Sequence, residues 1–129
     1  MIRHVVLAVF TLSSLAACCC GVPTDGEERR HAVMVEGRYY LYYRDDPMPA
    51  QGGPALGAEH ARVARQIPCS GVVMRAPGIE DPCGFQDGDS SLLPAGTTLH
   101  PVDAVPAGQR LGAVWGGRLF LFNAYFPPD

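Results

Sequence analysis

Lysine is missing from this 129-residue chain, whose ten basic residues are all arginine. Without a lysine amine there is no Schiff-base nucleophile, no phosphate-loop lysine and no Ser/Lys dyad, which removes three large enzyme classes. Also absent are a GxSxG elbow, an HExxH helix and a CxxC pair, the sequence marks of an α/β hydrolase, a zinc peptidase and a thiolate zinc site. Basic charge is scarce as well: the formal net charge is -3, which argues against a nucleic-acid partner. No segment carries a long helical period, and the length allows one compact domain and little else. Asparagine occurs once, at Asn123, and the arginine-only usage is that expected of a GC-rich bacterial genome.

What is present begins at the N-terminus. Met1-Ile-Arg-His is followed by the apolar run Val5 to Ala17, which has the size of a signal-peptide core and is too short to span a bilayer. It ends in Leu15-Ala16-Ala17-Cys18, which resembles the lipobox of bacterial lipoproteins. The resemblance implies cleavage before Cys18 and a thioether-linked diacylglyceryl group on its sulfur, so that residues 1–17 are a signal peptide. Two acyl chains at about 0.8 kcal/mol per buried CH₂ then hold the protein to the outer membrane face without a spanning helix. An ordinary secretory peptide cut after Ala16 or Ala17, or an uncleaved anchor, is the competing reading. Cys19 and Cys20 have no evident role. Residues 18–30 read as the lipidated Cys and a polar tether, and residues 31–129 as a single small β domain.

The spacing predicts an all-β fold, a small antiparallel barrel or sandwich of about six strands with two long Pro/Gly-rich loops. The clearest units are two hairpins, His31 to Tyr43 around Glu36-Gly37 and Gln109 to Asn123 around Gly116-Gly117. Weaker strands are expected at Ala61 to Ile67, Gly71 to Ala76 and Thr97 to Val102, with a short helix over Gly57 to Gln66 as the alternative for the first. Arg44 to His60 and Pro77 to Leu92 read as loops, because Pro and Gly interrupt any ladder. Outside the cytosol, Cys69 and Cys83 are expected to form a disulfide.

Residues able to carry chemistry are few. His60, His100 and Asp103 with Ser70, Ser90 or Ser91 are the raw material of a hydrolytic triad, but no spacing enforces its geometry. Glu80, Asp81, Asp87 and Asp89 offer oxygen ligands for Ca²⁺, yet Leu92 and Thr98 stand where a calcium loop needs its Gly and bidentate Glu. No metal or other cofactor is implied. In the run Tyr39 to Tyr43 alternate side chains face opposite ways, so one set is core and the other is free to stack on sugar or peptide. Tyr40 and Tyr42 are the candidate ligand-binding residues, with Arg38 and Arg44 as polar rims.

Together the LAAC motif, the Val33-x-Val35-x-Gly37-Arg38-Tyr39-Tyr40 strand, the Leu56-Gly57 and Ile67-Pro68-Cys69 segments and the closing run Leu93 to Asn123 resemble small actinobacterial, Streptomyces-like secreted lipoproteins of unknown function. The resemblance implies an extracytoplasmic, lipid-anchored, β-rich protein and carries over no catalytic residue. The expectation is therefore a non-enzymatic module binding an envelope protein or ligand. Its rivals are an exported peptidase inhibitor, displaying Arg75 on the Cys69-Cys83 loop, and a small envelope hydrolase.

Overall fold

The computed structural model describes residues 28–43, 47–103, 105–106 and 108–127. The expected signal peptide, the lipidation site Cys18 and the rim residue Arg44 lie outside them. The strands are β1 (Glu28–Arg30), β2 (Ala32–Val35), β3 (Arg38–Tyr42), β4 (Met48–Pro49), β5 (Ala61–Arg62), β6 (Arg65–Gln66), β7 (Val72–Arg75), β8 (Gly78–Glu80), β9 (Asp89–Ser90), β10 (Thr98–Pro101), β11 (Arg110–Trp115) and β12 (Arg118–Ala124). Among the described residues there is no helix, so the fold is all-β and Gly57 to Gln66 is not helical.

Both expected hairpins form, and each turns on two residues with positive φ, the geometry that matches the right-handed twist of the flanking strands. Gly116 (+61°) and Gly117 (+75°) meet that need at no steric cost, whereas the first hairpin places Glu36 at +52° before Gly37. An L side chain is disfavoured there, and the Glu36 carboxylate gains only an exposed ion pair with His60. Glu36→Asn is expected to raise stability by about 0.5 kcal/mol, read as a melting midpoint a few degrees higher.

Among the described residues there are twelve strands rather than about six, because both expected loops contain short ladder segments, the tether contributes β1, and Ala61 to Ile67 divides into β5 and β6. Met48–Pro49 pairs with β12, Gly78–Glu80 pairs with β7, and Asp89–Ser90 lies between β2 and β6. The β6 to β9 pairing is parallel, so the large sheet is not purely antiparallel. Its order is β5-β10-β11-β12-β3-β2-β9-β6, with β4 alongside β12. Only Val63 and Ala64 separate β5 from β6, so one short stretch of chain stands at both ends and the sheet curls as a half-barrel. Val63 N–H donates to Thr97 O and Ala64 N–H to Gly88 O, each at 2.8 Å, joining the two ends.

Inside the curl lie Val33, Val35, Tyr40, Tyr42, Leu99, Leu111, Phe120 and Phe122. A second, small sheet in the order β1-β7-β8 covers the other face of β2 and β3, where Ala32, Met34 and Leu41 pack with Val72 and Phe85. Strand β2 is thus buried on both faces, which explains its unbroken apolar sequence AVMV. The last three residues of the segment read as tether, Glu28–Arg30, are instead β1: their main chain pairs with the edge of β7 while their polar side chains remain at the surface.

Cys69 and Cys83 form the expected disulfide, with Cα atoms 6.2 Å apart. It closes a loop holding the β7-β8 hairpin, worth about 3 kcal/mol in the chain-entropy model. Asp81 shapes the turn before Phe85, its carboxylate accepting from the N–H groups of Cys83, Gly84 and Phe85 at 2.8 to 3.2 Å.

Candidate functional site

The tyrosine strand lies at the centre of the candidate site, but the two faces of β3 exchange the roles expected of them. Tyr40 and Tyr42 are only 4% and 9% exposed, so neither offers a stacking platform. The cause is register: Phe122 stands directly opposite Tyr42 across β12, and the Tyr42 ring packs 5.5 Å from Phe122 and 5.8 Å from Phe120, centre to centre. A face lined by phenylalanines on the neighbouring strand is the inner face of the curl.

Tyr39 and Tyr43 point the other way and are half-buried at the surface. Along that side runs a furrow with two lobes, of about 420 and 430 Å³. Arg30, Tyr43, Asn123 and Phe126 line the first lobe, Arg38, Tyr39, Ile79 and Pro127 the second, and Tyr125 lines both. The segment after β12 is held there because Tyr125 N–H donates to Tyr39 O at 2.8 Å, extending the β12-β3 ladder by one bond.

Guanidinium groups rest on the aromatic faces of this furrow. Arg38 lies 4.6 Å from the centre of the Phe126 ring, and Arg110 lies 5.0 Å from that of Tyr43 while its Nε donates to Asn123 Oδ1 at 2.9 Å. Stacking and hydrogen bonding of this kind fix a guanidinium plane in advance of any ligand. Among the described residues no carboxylate lines either lobe. Tyr39 donates its hydroxyl to Asp81 Oδ2 at 2.6 Å, and its pKa is pushed up to about 12, first by burial and then by the hydrogen bond and charge of Asp81. It therefore stays a neutral wall at physiological pH. A furrow so built presents guanidinium groups beside exposed aromatic ring faces.

The remaining candidates are dispersed. His60 Nε2 sits 3.1 Å from Glu36, and His100 is held between Thr98 Oγ1 and Gly57 O at 2.8 and 2.9 Å, so neither stands at a serine. Ser70 accepts from Arg29, and Ser90 Oγ accepts from the N–H groups of Leu92 and Leu93. Ser91 meets a histidine that the sequence reading did not single out, His31, with Nδ1 2.9 Å from Oγ. Sixty residues separate the two, and no local pattern signals the contact. Burial lowers the His31 pKa, favouring the neutral ring, but Ser91 Oγ also accepts from Ala32 N–H at 3.0 Å and so serves as a main-chain partner in the join of β2 to β9.

The acidic residues of the 80–91 stretch are likewise engaged separately. Glu80 pairs with Arg75, Asp87 accepts from Gly37 N–H, and Asp89 pairs with Arg65. Among the described residues no three metal-ligating side chains come together. Arg75 lies at the end of β7, one residue before the cis Ala76-Pro77 bond, with its guanidinium turned back to Glu80 at 2.6 Å. Compared with known proteins, the chain matches no family model, no curated protein and no solved structure.

Proposed function

We propose that this protein is a lipid-anchored, extracytoplasmic, non-catalytic binding module that takes an anionic ligand with a flat or apolar portion into the furrow beside β3. The observation that supports the reading is the stacking of Arg38, which lines one lobe, on Phe126, which lines the other, with no carboxylate among the described lining residues; Arg30 at the first lobe is already paired with Glu28. The LAAC motif and the Cys69-Cys83 bridge fit an address outside the cytosol.

Titrating the full chain with acidic saccharides and acidic peptides, followed by NMR, tests the idea. The expected result is that one class binds and perturbs Arg38, Tyr125 and Phe126. Arg38→Ala and Phe126→Ala should each weaken it about tenfold, the cost of losing an interfacial arginine or aromatic anchor. Both side chains are largely exposed, so melting should change little. Binding that survives both substitutions would move the site elsewhere.

A further inference from the structure

We infer that the tip of the β11-β12 hairpin is a membrane-contact element that rests in the interfacial layer of an anionic bilayer, a role that goes beyond the furrow. Val114 and Trp115, 50% and 46% exposed, are two of the three large apolar residues in the open among the described residues, and they are consecutive. Consecutive strand residues project from opposite faces, so the tip is apolar on both sides of the ribbon. A tip with one exposed apolar residue on each face, and a cation across from the indole, is suited to shallow immersion at the headgroup level.

The turn between them is uncharged and open. Gly116 and Gly117 have nothing within 4 Å of where a Cβ would stand. Directly across the ladder from Trp115 is Arg118, an exposed cation beside an indole, the pairing that sits comfortably at the headgroup level. The indole packs 5.9 Å from Phe120, which braces it along the hairpin.

Charge points the same way. The protein as a whole is acidic, yet residues 104–128 contain no Asp or Glu; of their two arginines Arg118 stands at the tip, and Arg110 at the far end of the hairpin opposite Asn123. Residues 47–58, whose Met48–Pro49 strand flanks the tip and whose Ala50 N–H donates to Gly117 O, contain no charged residue at all. Strands β4, β11 and β12 carry no carboxylate, so Arg118 is the charge the tip offers to an anionic lipid surface.

The inference gains from the anchored reading, and in part rests on it. Glu28 follows Cys18 by ten residues, which reach at most about 35 Å when extended. A lipidated chain therefore keeps the hairpin close to the bilayer, where even a weak contact is populated because the second encounter is intramolecular.

Trp115 is the only tryptophan, so its fluorescence reports this site alone. The full chain, purified from membranes and reconstituted in phosphatidylglycerol/phosphatidylcholine vesicles, is titrated with phosphatidylcholines brominated at defined acyl depths. Quenching strongest for shallow bromines is the expected result. Arg118→Gln should lower the ratio of immersed to lifted hairpin about fivefold, since one basic residue near an anionic surface is worth about that factor. Val114→Ser should lower it too, and both replaced side chains are exposed, so the fold survives. Vesicle-bound protein whose Trp115 escapes the bromines overturns the inference and leaves the anchored reading standing. Protein without lipid on Cys18 that stays in the supernatant with unquenched Trp115 overturns both. Quenching of a chain that carries no lipid supports the hairpin and removes only the anchor.

Discussion

Gly71→Ala is expected to cost about 4 kcal/mol, enough to lower the melting midpoint of a domain this size by roughly 15–30 °C. Two effects add. Gly71 has φ +108°, a conformation an L side chain rarely adopts, and a Cβ built there would stand 2.0 Å from the carbonyl oxygen of Arg30 and 2.9 Å from His31 N. Both obstacles are main chain and cannot rotate aside. The chain passing from β1 to β2 would have to lift, and with it the Arg30 to Val72 pairing that carries the small sheet on the large one. Gly37→Ala isolates the dihedral effect, because Gly37 also has positive φ (+75°) but nothing within 4 Å of a Cβ. It is expected to cost about 1 kcal/mol. Thermal unfolding followed by circular dichroism separates the two, and a Gly71→Ala protein melting within a few degrees of Gly37→Ala would show that the close crossing does not hold the sheets together.

Asp89→Ala should also destabilise, by about 2 kcal/mol near neutral pH, the cost of losing charge-assisted hydrogen bonds and orphaning a main-chain N–H. Asp89 is 1% exposed, and Arg65 grips both its oxygens, Nε to Oδ1 and Nη2 to Oδ2, each at 2.8 Å. Gln86 N–H adds a third bond at 2.9 Å. Removing the carboxylate orphans that N–H, while the Arg65 side chain, 59% exposed, returns to water. Arg65→Ala should destabilise as well, since it leaves the buried Asp89 carboxylate without its cation.

The Arg65 hydrogen bond, helped by the Gln86 N–H, holds the Asp89 pKa below its ordinary 3.8, against the opposing effect of burial. A carboxyl whose folded pKa is lowered contributes stability above its unfolded pKa and loses that contribution as pH falls through the folded value. The gap between wild type and Asp89→Ala, read from urea unfolding midpoints, is therefore expected to be full at pH 7 and to narrow below about pH 4. An undiminished gap in acid would contradict the ion-pair account.

The outer hairpins are legible in the sequence because their turn residues, Glu36-Gly37 and Gly116-Gly117, act locally and sit between apolar runs. The disulfide is legible for a different reason, since Cys69 and Cys83 are the only cysteines away from the N-terminal cluster. Strand alternation shows that Tyr40 and Tyr42 oppose Tyr39 and Tyr43, but not which pair faces inward. That is decided by register against β12, where Phe122 meets Tyr42, and register between strands eighty residues apart leaves no local trace. The same holds for β1: Glu28–Arg30 has no apolar residue and little strand propensity, and becomes a strand because β7 presents an edge to it. The furrow depends on both of these long-range arrangements, and on Tyr125 continuing the ladder beyond β12. Only Arg38 among its residues is visible beforehand, as a rim of the tyrosine strand.

The short stretch standing at both ends of the large sheet has a consequence for life in a crowded layer. An open sheet ends in rows of unpaired N–H and C=O groups, templates on which a neighbouring molecule can add a strand. Here the terminal strands β5 and β6 are two residues each and follow one another in the chain. At either end of the large sheet a strand from another copy would find almost no backbone to pair with. On the anchored reading proposed above, copies confined to a surface would meet far more often than in free solution, and these short ends guard the large sheet against strand addition there.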